Sequence, residues 1–240
     1  MGQAGPLGPT EPATGKPPTP TAPELGLATL TVVVGLAAVV ASLIVLGSIA
    51  EGVRTQEVFA LDTWATPFLH GISSPGLDWV MNRLTDMGSI LVIPPLFVLV
   101  GILLVIRRRY RLVLLLAVAS LGSLLLQGSL KLVFARPRPV LPWAHVLPDY
   151  SFPSGHTMNA VVFYGALALI TWSLFGRRSG ILAVIIAGVL AAGVAVSRIY
   201  LGYHYLTDVV GGLLAGIAWL LIVGAAFRAR PTWRRWRHEE

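Results

Sequence analysis

Apolar residues collect in six long runs separated by short polar stretches: Leu25–Ala50, Gly88–Ile106, Leu112–Leu130, Thr157–Phe175, Ile181–Val196 and Val209–Phe227. A helix rising about 1.5 Å per residue needs about 20 apolar residues to cross about 30 Å of hydrocarbon. The runs approach or exceed that length, the fifth being the shortest, and they are apolar on all sides. The pattern predicts an all-α integral membrane protein with six transmembrane helices.

The intervening stretches divide the chain further. Residues 1–23 are rich in Pro, Gly, Thr and Ala and hold almost nothing that would build a core, so a disordered cytoplasmic tail is expected there. They lack the basic start of a signal peptide, and the apolar run that follows is too long for one. The membrane domain is expected over 24–227. Within it, 51–86 is the longest polar connection. Trp64, Phe68, Leu69, Leu77, Trp79, Val80 and Leu84 predict short amphipathic helices there, lying at the interface and broken at Ser73-Ser74-Pro75-Gly76. Such helices form a packing collar or a lip that guides a headgroup.

Charge fixes an orientation. With an even number of spans and both ends cytoplasmic, the inner segments carry Lys16, Arg107, Arg108, Arg109, Arg111, Arg177, Arg178, Arg228, Arg230, Arg234, Arg235 and Arg237. The outer segments carry only Arg54, Arg83, Lys131, Arg136, Arg138 and Arg198. This is the asymmetry of the positive-inside rule. The formal net charge of +7 therefore reflects bilayer orientation and not nucleic-acid binding, and the basic, Trp-bearing segment 228–240 suits an anionic inner leaflet. There is no cysteine, which excludes a disulfide framework and any thiolate metal site.

Three outer segments carry polar residues that orientation leaves unexplained: 131–139, 153–156 and 197–208. In the second, Pro153-Ser154-Gly155-His156 reads as a helix start. Ser154 is placed to cap it, the first free amides favour an anion, and Gly155 lets that anion approach the backbone. Lys131, Arg138 and Arg198 are cations at an apolar boundary with few carboxylates near them in sequence; a phosphate satisfies them, and guanidinium matches its geometry. His204 and Asp208 are four apart, the spacing of one helix face. A carboxylate on one imidazole nitrogen leaves the other as base or nucleophile.

Together these residues carry a family signature. The sequence resembles the type 2 phosphatidic acid phosphatase superfamily of membrane lipid phosphatases. Its three motifs stand here as Lys131…Arg138-Pro139, Pro153-Ser154-Gly155-His156 and Ser197-Arg198…His204…Asp208. The resemblance covers mainly 88–210 and implies that family's helical bundle. It also implies that His204 attacks phosphorus and becomes a phosphohistidine, that Asp208 orients it, and that His156 protonates the leaving oxygen. Lys131, Arg138, Arg198, Ser154 and Gly155 would hold the phosphoryl oxygens, fixed cations serving where other phosphatases use magnesium, so no cofactor or metal is expected.

The superfamily also holds soluble vanadate-dependent haloperoxidases, which six spans and a short outer loop argue against. Phosphatidic acid, phosphatidylglycerol phosphate, diacylglycerol pyrophosphate and undecaprenyl diphosphate all present the part that the motifs contact. The Ala-, Gly- and Arg-rich composition looks bacterial, which makes undecaprenyl diphosphate the main specific alternative. A transporter would place its ionisable groups at mid-span, where little stands beyond Gln127 and Asn159. A non-catalytic lipid-binding relative would not need the intact signature. The expected place is the cell membrane, with the site on the outer side.

Overall fold

The computed structural model describes residues 22–55, 57, 59–144 and 147–228, with the backbone alone over 22–32 and at 228. The expected tails therefore lie almost wholly outside the described residues. Seven helices follow in order: α1 (Ala22–Arg54), α2 (Ala60–His70), α3 (Pro75–Asp86), α4 (Ile93–Ile106), α5 (Tyr110–Phe134), α6 (Gly155–Tyr200) and α7 (Leu206–Arg228). No strand occurs among the described residues. The chain divides after Leu36 into two units: residues 22–36 are the first arm of α1, and residues 37–240 carry everything discussed below.

The helix count differs from the six expected, for two reasons. The connection 51–86 holds two helices of its own. The fourth and fifth apolar runs form two arms of one element, α6, broken only at Gly176, whose φ of 79° and ψ of −171° are non-helical. A side chain at that φ would strain the backbone. Among the described residues, four helices are long and apolar enough to cross a membrane: α1 over Val33–Arg54, α5, α6 and α7 over Leu206–Phe227, with α4 shorter. Expected as Gly88–Ile106, α4 begins only at Ile93, with proline in its first turn where no amide donor is lost.

Leu116, Ala119, Val162, Phe163, Ala166, Val194 and Val223 pack the core between α5, α6 and α7. Large apolar side chains such as Leu125, Leu132 and Val189 point outward instead, as a lipid-facing surface requires. Of the short helices, α3 packs on α6, and α2 packs on both α6 and α7. These two short helices bury Asp62, Thr66 and Thr85 and expose Trp64, Phe68 and Trp79.

One close approach ties α7 to the start of α6. A Cβ at Gly212 would lie 2.6 Å from the backbone oxygen of Ser154. Gly212→Ala therefore forces backbone apart and is expected to destabilise the protein by about 1–3 kcal/mol. Gly76→Ala, which meets nothing within 4 Å, serves as its control. Thermal unfolding of both variants in detergent checks this; equal midpoints would refute the close approach.

Candidate active site

Lys131 lies in the last turn of α5, which ends at Ala135 in a left-handed conformation, φ 44°. That conformation costs an L-residue about 1–2 kcal/mol. It turns the chain so that both Arg136 and Arg138 reach the turn between α6 and α7 and the start of α7. The return segment is held by Ser151 N–H donating to the Arg136 oxygen (2.8 Å) and Ser154 N–H to the Asp208 oxygen (2.9 Å). Phe152, with no exposure, meets Phe134 edge-on at 5.2 Å.

Ser154 precedes the first residue of α6, Gly155, as the sequence predicts, but its side chain does not cap the helix. Its buried hydroxyl instead accepts from Thr157 Oγ1 at 3.0 Å, so its own proton stays free to donate. His156 follows, partly exposed, within the electrostatic reach of Arg198, His204, Lys131 and Arg138.

The other histidine comes from the opposite end of α6. His204 and Asp208 do not share a helix face, because α7 starts only at Leu206 and His204 sits in the turn before it. The turn is fixed by Tyr203 and His204 N–H groups donating to the Arg198 oxygen at 3.1 and 3.3 Å. His204 Nδ1 still comes within 3.5 Å of Asp208 Oδ2 and 3.4 Å of Ser151 Oγ. On its other edge, Nε2 lies 3.1 Å from Arg138 Nη1. Guanidinium only donates, so Nε2 carries the lone pair and Nδ1 the proton, turned toward Asp208. Burial pushes the imidazole down to about 4, with Arg198 and Arg138 adding to the effect against the opposing pull of Asp208.

Asp208 is wholly buried and its carboxylate is fully engaged. Oδ1 accepts from Arg136 Nη1 at 2.6 Å; Oδ2 accepts from Ser151 Oγ and from the Tyr205 amide at 2.9 Å. Arg136 continues to Thr207 Oγ1 and Asp62 Oδ2, each at 2.8 Å, and lies over the Tyr205 ring. Asp62 in turn accepts from the Thr207 amide and hydroxyl. The connection 51–86 is therefore part of the site's support.

The expectation that the three cations lack nearby carboxylates is corrected for two of them. Lys131 Nζ bonds Asp149 Oδ2, and Arg138 Nη2 bonds Asp149 Oδ1 at 2.6 Å. Partial burial would raise the Asp149 carboxyl, but these bonds outweigh it and hold it below the usual carboxylate range. Arg198 alone meets the expectation. It is 3% exposed, donates from Nη1 to Thr85 Oγ1 at 2.9 Å and stacks on Tyr203. Its Nε and Nη2 are buried with no partner among the described residues. A buried guanidinium left half unsatisfied is costly unless an anion completes it.

The fold thus brings Lys131, Arg138, Ser154, Gly155, His156, Arg198, His204 and Asp208 together where the end of α5, both ends of α6 and the start of α7 meet. Motif spacing missed Asp62, Arg136, Asp149, Ser151 and Thr207. Asp149 had a signal, being the only acidic residue between Asp86 and Asp208. Arg136 had another, as an outer cation inside the first motif.

Residues 110–232 match the PAP2 superfamily. A phosphatidylglycerophosphatase B from Bacillus subtilis (strain 168) is 34% identical over 178 residues, 73% of this chain and 87% of that protein. A putative undecaprenyl-diphosphatase, YbjG, from Escherichia coli (strain K12) is 34% identical over 134 residues, 54% of this chain and 64% of that one. Among solved structures, a transmembrane PAP2-type phosphatidylglycerolphosphate phosphatase from Bacillus subtilis superposes with a TM-score of 0.76 at 29% identity, covering 82% of this chain and 98% of that chain. With the family match spanning half the chain, and one relative aligned along most of its own length, the chain belongs to the PAP2 superfamily.

Proposed function

We propose that the protein is a membrane lipid phosphate phosphatase that removes a terminal phosphate through a phosphohistidine on His204. The observation that carries this reading is the His204 environment. Its Nε2 lone pair is exposed to a cluster of cations while Asp208 stands behind Nδ1. The relatives act on phosphatidylglycerophosphate and undecaprenyl diphosphate by their names, and both carry a terminal phosphate on a lipid. That shared part is the substrate class proposed here.

In this mechanism Lys131, Arg138, Arg198, the Ser154 hydroxyl and the amides at Gly155 hold the phosphoryl oxygens. Phosphoryl transfer gains mostly from such positioning and charge stabilisation. Nε2 forms a bond to phosphorus as the bond to the leaving oxygen breaks, and His156 gives that oxygen its proton. Water then attacks the phosphohistidine while His156 takes its proton back, releasing inorganic phosphate and restoring His204. These three fixed cations supply the charge for which other phosphatases use a divalent metal. The proposed setting is a six-span protein with both ends cytoplasmic, the two arms of α6 counting as separate spans, and the site at the outer surface. Lipid tails then remain in the bilayer during reaction.

The two histidines separate experimentally. His204→Ala is expected to leave no covalent phosphoenzyme with any substrate. His156→Ala is expected to lose about 10²–10⁴-fold on a lipid monophosphate, whose alkoxide needs a proton, and far less on nitrophenyl phosphate. Trapping phosphoenzyme without acid decides it, and labelled phosphate retained by His204→Ala would exchange the roles. Because folding lowers the His204 value, its unfolded chain binds more protons between about 6.5 and about 4. Its contribution to stability is therefore full above about 6.5 and is lost as pH falls toward 4. In nitrogen-15 spectra of labelled histidine, the resonance missing from His204→Ala should remain neutral at pH 5; a midpoint near 6.5 contradicts this environment. Sidedness follows from cysteines placed in a chain that has none. Ser74→Cys and Ala144→Cys should react with an impermeant reagent on intact cells and Ser179→Cys should not, and the reverse pattern would invert the topology.

A further inference from the structure

Lys131 and Arg138 are occupied in the free protein. Beyond the two bonds already given, Arg138 Nε donates to Asp149 Oδ1 at 3.1 Å and to its backbone oxygen at 3.0 Å. The exposure is lopsided: Asp149 is 51% exposed, whereas Lys131 and Arg138 are 16% and 7% exposed. The ion pairs around Arg136 look different. Asp208 and Asp62, on Arg136, are enclosed together with their cation at 0%, 3% and 11%. In the Asp149 cluster the anion faces solvent on an irregular segment, and only the cations are fixed. That is the geometry of a ligand able to leave.

We propose that Asp149 is an internal stand-in for the phosphoryl group. It holds Lys131 and Arg138 between turnovers, gives way to substrate, and returns to displace inorganic phosphate. This rests on the function proposed above. Phosphoryl transfer to His204 and then to water leaves phosphate among Lys131, Arg138 and Arg198. Affinity shared equally by substrate, transition state and product lowers KM without raising kcat. In a site this basic it also slows release, a step that limits many enzymes. A carboxylate tethered beside the site competes with every bound anion alike. It weakens phosphate while bonding neither His204 nor His156, the two groups that act at the reacting bonds. It also keeps two half-buried cations paired when no anion is present, a state that is otherwise costly.

The test uses the full chain in detergent, with inorganic phosphate as the probe, comparing wild type with Asp149→Asn and with the smaller Asp149→Ser. Removing one charged competitor is expected to tighten phosphate about tenfold by calorimetry. KM for a lipid phosphate should fall in parallel, and kcat should fall or stay level. Unfolding temperature without phosphate should drop in the variants and recover as phosphate is added. A residue that merely braced the cations would give the opposite sign, with phosphate affinity lost along with stability. Unchanged or weaker phosphate binding in the variants, including none in any of the proteins, overturns the proposal. The two readings fail separately. Wild-type protein that hydrolyses no lipid phosphate, beside variants that bind phosphate more tightly, overturns the function and leaves the stand-in. Lipid hydrolysis without tighter binding does the reverse.

Discussion

A wholly buried carboxylate is tolerated only where donors surround it, and the half of this protein that carries the site is arranged around meeting that demand at Asp208. Arg136 arrives from the turn after α5, Ser151 from the segment before α6, and the Tyr205 amide from the turn before α7. Arg136 carries a second carboxylate, Asp62, which anchors α2 to the start of α7 through both the amide and the hydroxyl of Thr207. Four elements distant in sequence thus share one charge cluster. Removing one member of such a buried set leaves the others uncompensated, which costs more than the pairing itself contributes. The same cluster fixes His204, because Asp208 and Ser151 both meet Nδ1.

The two histidines approach from opposite ends of α6, and their meeting needs the break at Gly176. One arm starts at Gly155 and the other ends at Tyr200, so a helix that ran straight would carry His156 and Arg198 far apart. Folding back at one residue brings both ends to one side. The left-handed Ala135 does comparable work over a shorter distance, since it separates Lys131 on the helix from Arg136 and Arg138 beyond it.

The apolar runs were legible because hydrocarbon imposes length and composition on every span. The short helices of 51–86 could be read because Trp64 and Phe68 recur at helical spacing. The motif residues could be read too, since each motif lies within a dozen residues and its chemistry is local. What spacing could not reveal is pairing across the fold. Nothing between Arg136 and Asp62, or between Asp149 and Lys131, marks them as partners before the chain is closed. His204 and Asp208 show the limit from the other side: the four-residue interval pointed to contact, yet a turn and not a helix supplies it. Ser154 was placed correctly at the helix start and given the wrong bond, because Thr157 offers its hydroxyl a partner within the same turn.

The Asp149 contact also decides the electroneutrality of the site. At rest Lys131, Arg136, Arg138 and Arg198 face three carboxylates, Asp62, Asp149 and Asp208, leaving one positive charge in excess. A terminal phosphate of about −2 charge standing in the place of Asp149 brings the four cations against four negative charges. Apart from the proton that His156 delivers, the charges around the reactive phosphorus then balance. A diester, with a single charge, would leave the same excess that the resting site carries. The balance thus favours a terminal phosphate group over one esterified on both sides.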